Sequence, residues 1–331
     1  MNQPNQPFKS LILTTEPSVD YELIDSGDGE KLERFGNVTL VRPDPQALWN
    51  KNSPENVWLN ATARFVQDTR DSRWVFRDEA TEKASKVSAG DDDWSIKIGA
   101  LSFLLGFSSF KHTGIFPEQT PNWDWITETI RGANDRGGVA GDAASSSGKI
   151  SVLNLFGYTG GATLAAASAG AEVCHVDASK VSIARAKKNA ELSGLAQAPI
   201  RFILDDAMAF VKREARRGKK YDAIIMDPPA FGRGPDGEVW KIEKDLPKLI
   251  DACREILADQ PLFVLINGYA AGYSPLAYLN ILESLLPKTG SAGTTIKMET
   301  ECGELTIRES MHGSSGGRLL SAGIFARSRR A

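Results

Sequence analysis

Between residues 149 and 267 short apolar runs alternate with longer stretches of mixed character. The runs at 151–155, 172–176, 199–204, 223–226 and 262–267 have the length and character of strands. The stretches between them, 161–169, 180–193, 206–217 and 243–258, are read as helices, the first of them alanine-rich. Strand and helix alternating through short links predict a doubly wound α/β fold, a parallel sheet with helices on both faces. A helix follows at 275–286. The pattern then changes to three strand-like runs, 294–299, 304–308 and 318–326, so the sheet is expected to end in antiparallel strands.

The first third of the chain reads differently. Residues 1–19 resemble a loose tail entering one strand at 11–14. The stretch 21–41 is β-like, with Ser26-Gly-Asp-Gly29 as a turn signal. Arg42-Pro-Asp-Pro45 breaks the chain, and Ala47-Leu-Trp49 is expected to open a short helix. Two further runs, 73–76 and 94–98, are strand-like, with Asp91-Asp-Asp93 turning into the second. An apolar run at 101–110 ends at Lys111-His-Thr-Gly114. Residues 1–115 are therefore expected to form a small, mostly β domain and 116–331 the α/β domain. Trp123, Ile126 and Ile130 predict a helix over 122–131. The Gly-, Ala-, Ser- and Asp-rich stretch 132–148 predicts an exposed, mobile loop.

Bulk chemistry narrows the function classes. Of 331 residues, 41% are hydrophobic, enough for a sizeable core. Lys and Arg number 39 against 42 Asp and Glu, a net charge of −3, so the whole surface is not a nucleic-acid clamp, although one face can still be basic. The three cysteines, Cys174, Cys253 and Cys302, lack metal spacing, so neither zinc nor a disulfide framework is expected. The polar N-terminus precedes no apolar run of signal-peptide or membrane length, and a cytoplasmic protein with no membrane partner is the expectation.

Chemistry concentrates where the predicted strands end. Ser151-Val-Leu-Asn-Leu-Phe-Gly-Tyr-Thr-Gly-Gly-Ala-Thr163 runs from strand through a glycine turn into an alanine-rich helix. Gly157, Gly160 and Gly161 let the backbone come close to a ligand at a helix N-terminus. The spacing G-x-x-G-G is not the dinucleotide fingerprint G-x-G-x-x-G. Asp177, with Ala178 and Ser179 beside it, ends the second strand, where a carboxylate can accept both ribose hydroxyls of an adenosine. Alternatively, Asp177 or Ser179 caps the next helix. After the third strand, Asp206 and the N–H of Ala207 can face an adenine edge, or Asp206 can cap a helix, and the two roles are compatible. After the fourth comes Asp227-Pro-Pro-Ala-Phe231. Its prolines fix an extended turn and leave carbonyls to point at a substrate. Asp227 can accept from a substrate N–H, and Phe231 can stack on an unpaired base. A purely structural turn is the other reading.

Taken together, Asn154-Leu-Phe-Gly-Tyr-Thr-Gly-Gly161, Val176-Asp177, Asp206-Ala207 and Asp227-Pro-Pro-Ala-Phe231 resemble class I S-adenosylmethionine-dependent methyltransferases. Within that class they look most like bacterial large-subunit ribosomal RNA methyltransferases of the cytosine-C5 and guanine type. The resemblance covers about 114–267. It implies a Rossmann-like methyltransferase sheet and S-adenosyl-L-methionine as cofactor. Asn154, Phe156, Gly157, Tyr158, Thr159, Gly160, Asp177, Ala178, Ser179, Asp206 and Ala207 would then hold the cofactor. Thr113-Gly-Ile-Phe-Pro-Glu-Gln119 is similar to a segment that folds over the cofactor in that family, so Phe116 and Gln119 would help cover it; a turn packed on the core is the alternative.

One departure matters. Cytosine-C5 methylation requires a thiolate in the catalytic cleft. The loops that would carry it, Asp227–Phe231 and 266–271, hold no cysteine. Direct transfer, with Asp227, the Pro228 carbonyl and Phe231 as the catalytic group, is expected instead. Arg233, Asn267 and Tyr269 are candidates for substrate contact. The basic run Lys212, Arg213, Arg216, Arg217, Lys219 and Lys220 suits either phosphates or solvent. RNA, ribosomal above all, is the expected substrate. A small molecule or protein acceptor, favoured by the acidic charge balance, and a non-catalytic cofactor-binding protein are the alternatives.

Overall fold

A computed structural model describes residues 8–67, 72–78, 94–108, 111–136, 148–234, 237–269, 272–287, 296–310 and 316–331. The chain forms two compact units. One comprises Met1–Leu13, Pro121–Leu305 and Gly323–Ala331; the other comprises Thr14–Thr120 and Thr306–Ala322. In chain order the elements begin with β1 (Lys9–Thr15), β2 (Tyr21–Gly27), β3 (Glu30–Phe35), β4 (Val38–Pro43), α1 (Glu55–Leu59), β5 (Ala63–Val66), β6 (Arg73–Phe76), β7 (Trp94–Ile98) and β8 (Leu101–Leu105). They continue with α2 (Thr120–Asp135), β9 (Ser151–Leu155), α3 (Gly161–Ser168), β10 (Glu172–Asp177), α4 (Lys180–Leu192), β11 (Ile200–Leu204), α5 (Ala207–Arg216) and β12 (Ala223–Met226). The last are β13 (Phe231–Arg233), β14 (Val239–Lys241), α6 (Ile242–Arg254), β15 (Phe263–Gly268), α7 (Pro275–Leu285), β16 (Met298–Arg308) and β17 (Leu319–Arg330).

In the β-rich unit, β2 to β6 form one sheet in chain order and β7–β8 a separate hairpin. The Ser26–Gly29 signal is the β2–β3 turn, where Asp28 and Gly29 both take positive φ (52° and 75°), as primed hairpin turns require. That turn also explains why Ala47-Leu-Trp49 is not helical. The Ala47 and Trp49 carbonyls accept the N–H groups of Gly29 and Asp28, at 2.9 and 2.7 Å, so they are not available to a helix. The fully buried Glu33 accepts from Tyr21 Oη at 3.0 Å and Arg42 Nε at 2.8 Å. Burial alone would raise its pKa; the Arg42 guanidinium outweighs that and holds it below the ordinary carboxylate value.

The α/β unit has the expected doubly wound sheet. The order is β1-β16-β17-β15-β12-β9-β10-β11, with β15, β12, β9, β10 and β11 mutually parallel and β17 antiparallel to β15. Its central strands are largely apolar because helices cover both faces. Leu153, Val176, Ile224 and Val264 are buried in one cluster with Phe210 of α5, Leu246 and Ile250 of α6, and Leu279 and Leu282 of α7.

The antiparallel end is present, but with two long strands rather than three short ones. Gly303, in the gap between the expected runs 294–299 and 304–308, lies inside β16. A Cβ at Gly303 would stand 1.7 Å from the Leu11 carbonyl oxygen of β1, so glycine there permits a close backbone approach. The helix expected over 122–131 extends to Asp135, taking in Gly132. Of the expected mobile loop, 137–147 lies outside the described residues, as do Asp91–Asp93, 109–110 and 294–295. Among the described residues no helix is long and apolar enough to cross a membrane, and no cluster of His, Cys, Asp and Glu could hold a metal ion. Replacing Gly303 by alanine is expected to destabilise the protein by about 1–3 kcal/mol, the usual range for overpacking, read as a lower denaturation midpoint at unchanged m-value.

Candidate functional site

The three central strands end level with one another. Leu155 of β9 pairs with Val176 of β10 on one side and with Met226 of β12 on the other. The next residues, Phe156, Asp177 and Asp227, therefore stand level at the strand ends, with Phe156 between the acids and Asp177, the last residue of β10, still paired with Leu204 of β11. At about 4.8 Å per strand, the acidic backbones stand roughly 10 Å apart. The sheet order also reverses at β9: β10 and β11 extend one way, β12 and β15 the other. Open α/β sheets bind ligands in the crevice at such a switch point.

The loop after β9 is strained and braced. Phe156, Tyr158 and Gly160 have φ of 55°, 48° and 96°. For the two non-glycine residues that costs on the order of 1–3 kcal/mol each, so the surroundings must hold them. Tyr158 N–H donates to the Asp177 carboxylate at 2.8 Å, and Gly157 N–H to the Val176 carbonyl at 3.0 Å. The Phe156 ring packs against Trp240, with centroids 5.0 Å apart. Below the loop lies the imidazole of His175; a Cβ on Gly157 would come within 2.5 Å of it. His175 Nδ1 is 2.8 Å from Thr163 Oγ1, which accepts from Asn154 Nδ2, also at 2.8 Å. Burial pushes the His175 pKa down to about 4, so the ring is a neutral filler at neutral pH. Asn154 thus sits beneath the loop, with its amide nitrogen engaged by Thr163. Thr159 is buried and its carbonyl accepts from Asn189 at 2.9 Å. Gly161 makes room for Trp123, whose ring a Cβ would meet at 2.3 Å.

Asp177 accepts at both oxygens, from Tyr158 N–H and from Ser179 N–H, each at 2.8 Å. Burial raises its pKa and the two hydrogen bonds offset part of that rise. Ser179 caps α4, accepting from Ser182 N–H at 3.2 Å, with the half-buried Ala178 between it and Asp177. Asp206 caps α5, accepting from Ala209 N–H at 2.8 Å, and the buried Ala207 opens that helix.

The loop after β12 changes one expectation. Its two prolines do not leave every carbonyl available: that of Pro229 accepts from Trp240 Nε1 at 2.7 Å, and that of Ala230 from Ile242 N–H at 3.1 Å. Asp227 is half-buried, Pro228 buried and Phe231 56% exposed. Phe231 and Arg233 lie on β13, paired with β14 in a hairpin that the hydrophobic pattern does not reveal. Asn267 is buried and accepts from Asn122 of α2 at 2.9 Å; Asn122 in turn accepts from Arg327 at 3.0 Å. Its side chain fastens a helix. Tyr269 follows β15 and is half-buried. Tyr278 of α7 lies over Gly268, where a Cβ would stand 2.3 Å from its hydroxyl. That hydroxyl is buried without a hydrogen-bond partner among the described residues, and burial together with the charge of Asp227 pushes its pKa up. Phe116 and Gln119 belong to the other unit. Phe116 packs 5.1 Å from His112, and the buried Gln119 ends a 3-10 turn, Pro117–Gln119. In the basic run Arg213 pairs with Asp205, Arg217 with Glu214, and Lys220 donates to the Leu257 carbonyl, while Lys212 is exposed.

Residues 57–276 match the family of S-adenosylmethionine-dependent methyltransferases. The chain belongs to that family. The methyltransferase is 40% identical to a SAM-dependent methyltransferase from Agrobacterium tumefaciens; their structures agree with a TM-score of 0.81 over 99% of this chain and 97% of that one. It is 25% identical over 244 residues to ribosomal RNA large subunit methyltransferase K of Neisseria meningitidis, spanning 73% of this chain and 64% of the relative. An 81-residue stretch is 42% identical to ribosomal RNA large subunit methyltransferase I of Aeromonas salmonicida, 24% of this chain and 20% of that one. The methyltransferase thus spans just under two thirds of the first of these ribosomal RNA enzymes and a fifth of the second.

The family's cofactor, S-adenosylmethionine, fits the residues present. An ionised carboxylate has about four acceptor positions, and the backbone of the methyltransferase uses two on Asp177, so capacity remains for ribose hydroxyls. No side chain caps α3 after the left-handed Gly160, which leaves its first-turn N–H groups to an anionic group such as the methionine carboxylate. Pattern reading misses His175, Thr163 and Trp240, because a lone histidine in a strand and a lone tryptophan carry no spacing signal. Gly157→Ala is expected to cost about 1–3 kcal/mol through its clash with His175. Adding His175→Ala should restore part of that loss in a denaturant titration; a fully additive double variant would contradict the packing described.

Proposed function

We propose that the enzyme methylates a nucleobase of ribosomal RNA by direct transfer, without a cysteine adduct. The observation that carries this reading is the acceptor loop itself: Asp227 leaves the sheet beside the strained loop after β9, and an exposed Phe231 follows four residues on. The names of the Neisseria and Aeromonas relatives support RNA as the acceptor. Bound S-adenosylmethionine supplies an electrophilic methyl group, so the chain has only to align a nucleophile with it. Asp227 accepts hydrogen bonds from an acceptor N–H and takes up the proton that the nitrogen loses. The Pro228 carbonyl orients a second N–H, and Phe231 stacks on the ring. Asp177 accepts the ribose hydroxyls, and Asp206 with the Ala207 N–H faces the adenine. Direct transfer is further supported by the state of the thiols. Cys174, Cys253 and Cys302 are all buried, and burial raises the pKa of each, that of Cys174 to about 11, so a thiolate is disfavoured at every one.

Asp177→Ala is expected to weaken cofactor binding by about 1.5–3 kcal/mol, the range for hydrogen bonds to a charged group, measured by calorimetry. Because burial raises the Asp177 pKa, its carboxylate is protonated as pH falls through a value above that of an ordinary aspartate. Cofactor affinity of the unaltered enzyme should therefore fall earlier on acidification than an ordinary aspartate would allow, and the Asp177→Ala variant should lose that step.

Asp227→Ala is expected to bind cofactor normally and to lose transfer; full activity in that variant would remove the role assigned to Asp227. Incubation with tritiated S-adenosylmethionine and RNA, protein and metabolite pools from a strain lacking the gene should label ribosomal RNA. Label in protein or small metabolites alone would overturn the reading.

A further inference from the structure

The hairpin β13–β14 follows directly on the acceptor loop, and its two faces differ. Gly232 pairs with Trp240, and that pair faces inward: Trp240 is 7% exposed, packs on Phe156 and donates to the Pro229 carbonyl. The neighbouring cross-strand pairs, Phe231 with Lys241 and Arg233 with Val239, fall on the opposite face, because side chains alternate along a strand. All four are exposed, Phe231 at 56% and Val239 at 51%. Neither Arg233 nor Lys241 makes an ion pair among the described residues. Of the nearby acids, Asp245 is paired with Lys248 and accepts from the Lys241 backbone N–H, while Glu238 and Glu243 flank the ends of β14.

Folding does not account for this outer face. Trp240 supplies the anchor that a short two-stranded hairpin needs. Leaving a phenylalanine exposed gives up the roughly 1.5–3 kcal/mol that its burial would contribute. The face has a definite order instead. Lys241 stands directly across the ladder from Phe231, and Arg233 stands two residues along, so an aromatic ring has a cation on each of two sides. A nucleotide in a single strand presents the matching order, a planar base between two phosphates. Stacking of this kind requires an unpaired base, which a duplex does not offer.

We propose that the outer face of the β13–β14 hairpin is a docking surface for single-stranded RNA, with Phe231 stacking on a base and Arg233 and Lys241 each meeting a phosphate. The proposal rests on the reading of RNA as the acceptor and adds where the strand is gripped. Phosphate contacts set affinity and register and make binding salt-dependent. Stacking contributes without that dependence. The two kinds of contact can therefore be separated in one titration.

The test uses the full-length enzyme with a fluorescein-labelled single-stranded RNA of mixed sequence, followed by fluorescence anisotropy across a salt series. Arg233→Glu combined with Lys241→Glu should lower affinity at least about tenfold and reduce the slope of log K against log salt by about 1.4, two contacts at about 0.7 each for single strands. Phe231→Ala should lower affinity about tenfold and leave the slope unchanged. Calorimetry with S-adenosylmethionine checks that each variant is folded and keeps its cofactor site. An unchanged affinity and slope in the double variant would overturn the docking surface. So would equally tight binding of duplex RNA, or of polyglutamate with the same loss of slope. If the double variant binds RNA as the parent does while tritium still reaches ribosomal RNA, only the surface is wrong. If tritium reaches protein or metabolites alone, the RNA reading falls, and the surface falls with it.

Discussion

The parallel pairing of β9 with β10 and β12 sets the level at which each strand leaves the sheet. Val176 and Met226 both stand opposite Leu155, so Asp177 and Asp227 emerge on either side of Phe156. A slip of one residue in either pairing would offset one acid from the other by a strand step of about 3.3 Å and turn buried side chains toward the wrong face. The apolar character of these strands guards against that slip. Leu153, Leu155, Val176, Ile224 and Met226 share one core cluster with the helices on their face, so register and core packing are the same constraint.

On that platform the loops are held by contacts between elements. Tyr158 keeps its left-handed backbone because Asp177, on the neighbouring strand, accepts its N–H. Phe156 keeps its own because Trp240, from a hairpin more than eighty residues later, packs on its ring (156 against 240). Trp240 also holds the Pro229 carbonyl, so one side chain ties the loop assigned to the donor to the loop assigned to the acceptor. Strain of this kind persists only where several contacts over-determine it. The His175–Thr163–Asn154 group underneath completes the support, filling space with a neutral ring where a charged one would be costly.

Most of the sheet was legible because its signals are local. The runs at 151–155 and 223–226 coincide with β9 and β12, and the glycine and proline turns fall where loops do. What was not legible depends on distant partners. Gly303 looks like a gap between strands until Leu11 is beside it, almost three hundred residues earlier in the chain (11 against 303). Thr306–Ala322 belongs to the β-rich unit through contacts such as Ser26 Oγ to Glu309 at 2.6 Å and Arg318 to Asp25 at 2.8 Å, which no contiguous pattern encodes. At the site, residue types announced Asp177 and Asp227. The cap positions of Ser179 and Asp206 were legible too. Residue types did not announce that Asn267 is used by Asn122, or that Pro229 has given its carbonyl to Trp240.

The two sides of the site are built under different constraints. Around Asp177 each glycine answers to a specific neighbour: Gly157 to His175, Gly161 to Trp123, Gly160 to its left-handed turn. Little there can change without a clash, which suits a loop whose ligand is the same throughout a family. On the other side Trp240 is buried, while Phe231, Arg233, Val239 and Lys241 are exposed. If the hairpin docks the acceptor as proposed, such a scaffold can alter acceptor preference by surface substitution while the core that braces the loop after β9 stays unchanged. Function located on loops over a rigid sheet follows from that division. On the proposed reading, acceptor choice is divided between the Asp227–Phe231 loop and the outer face of β13–β14, with the strands beneath supplying only the platform.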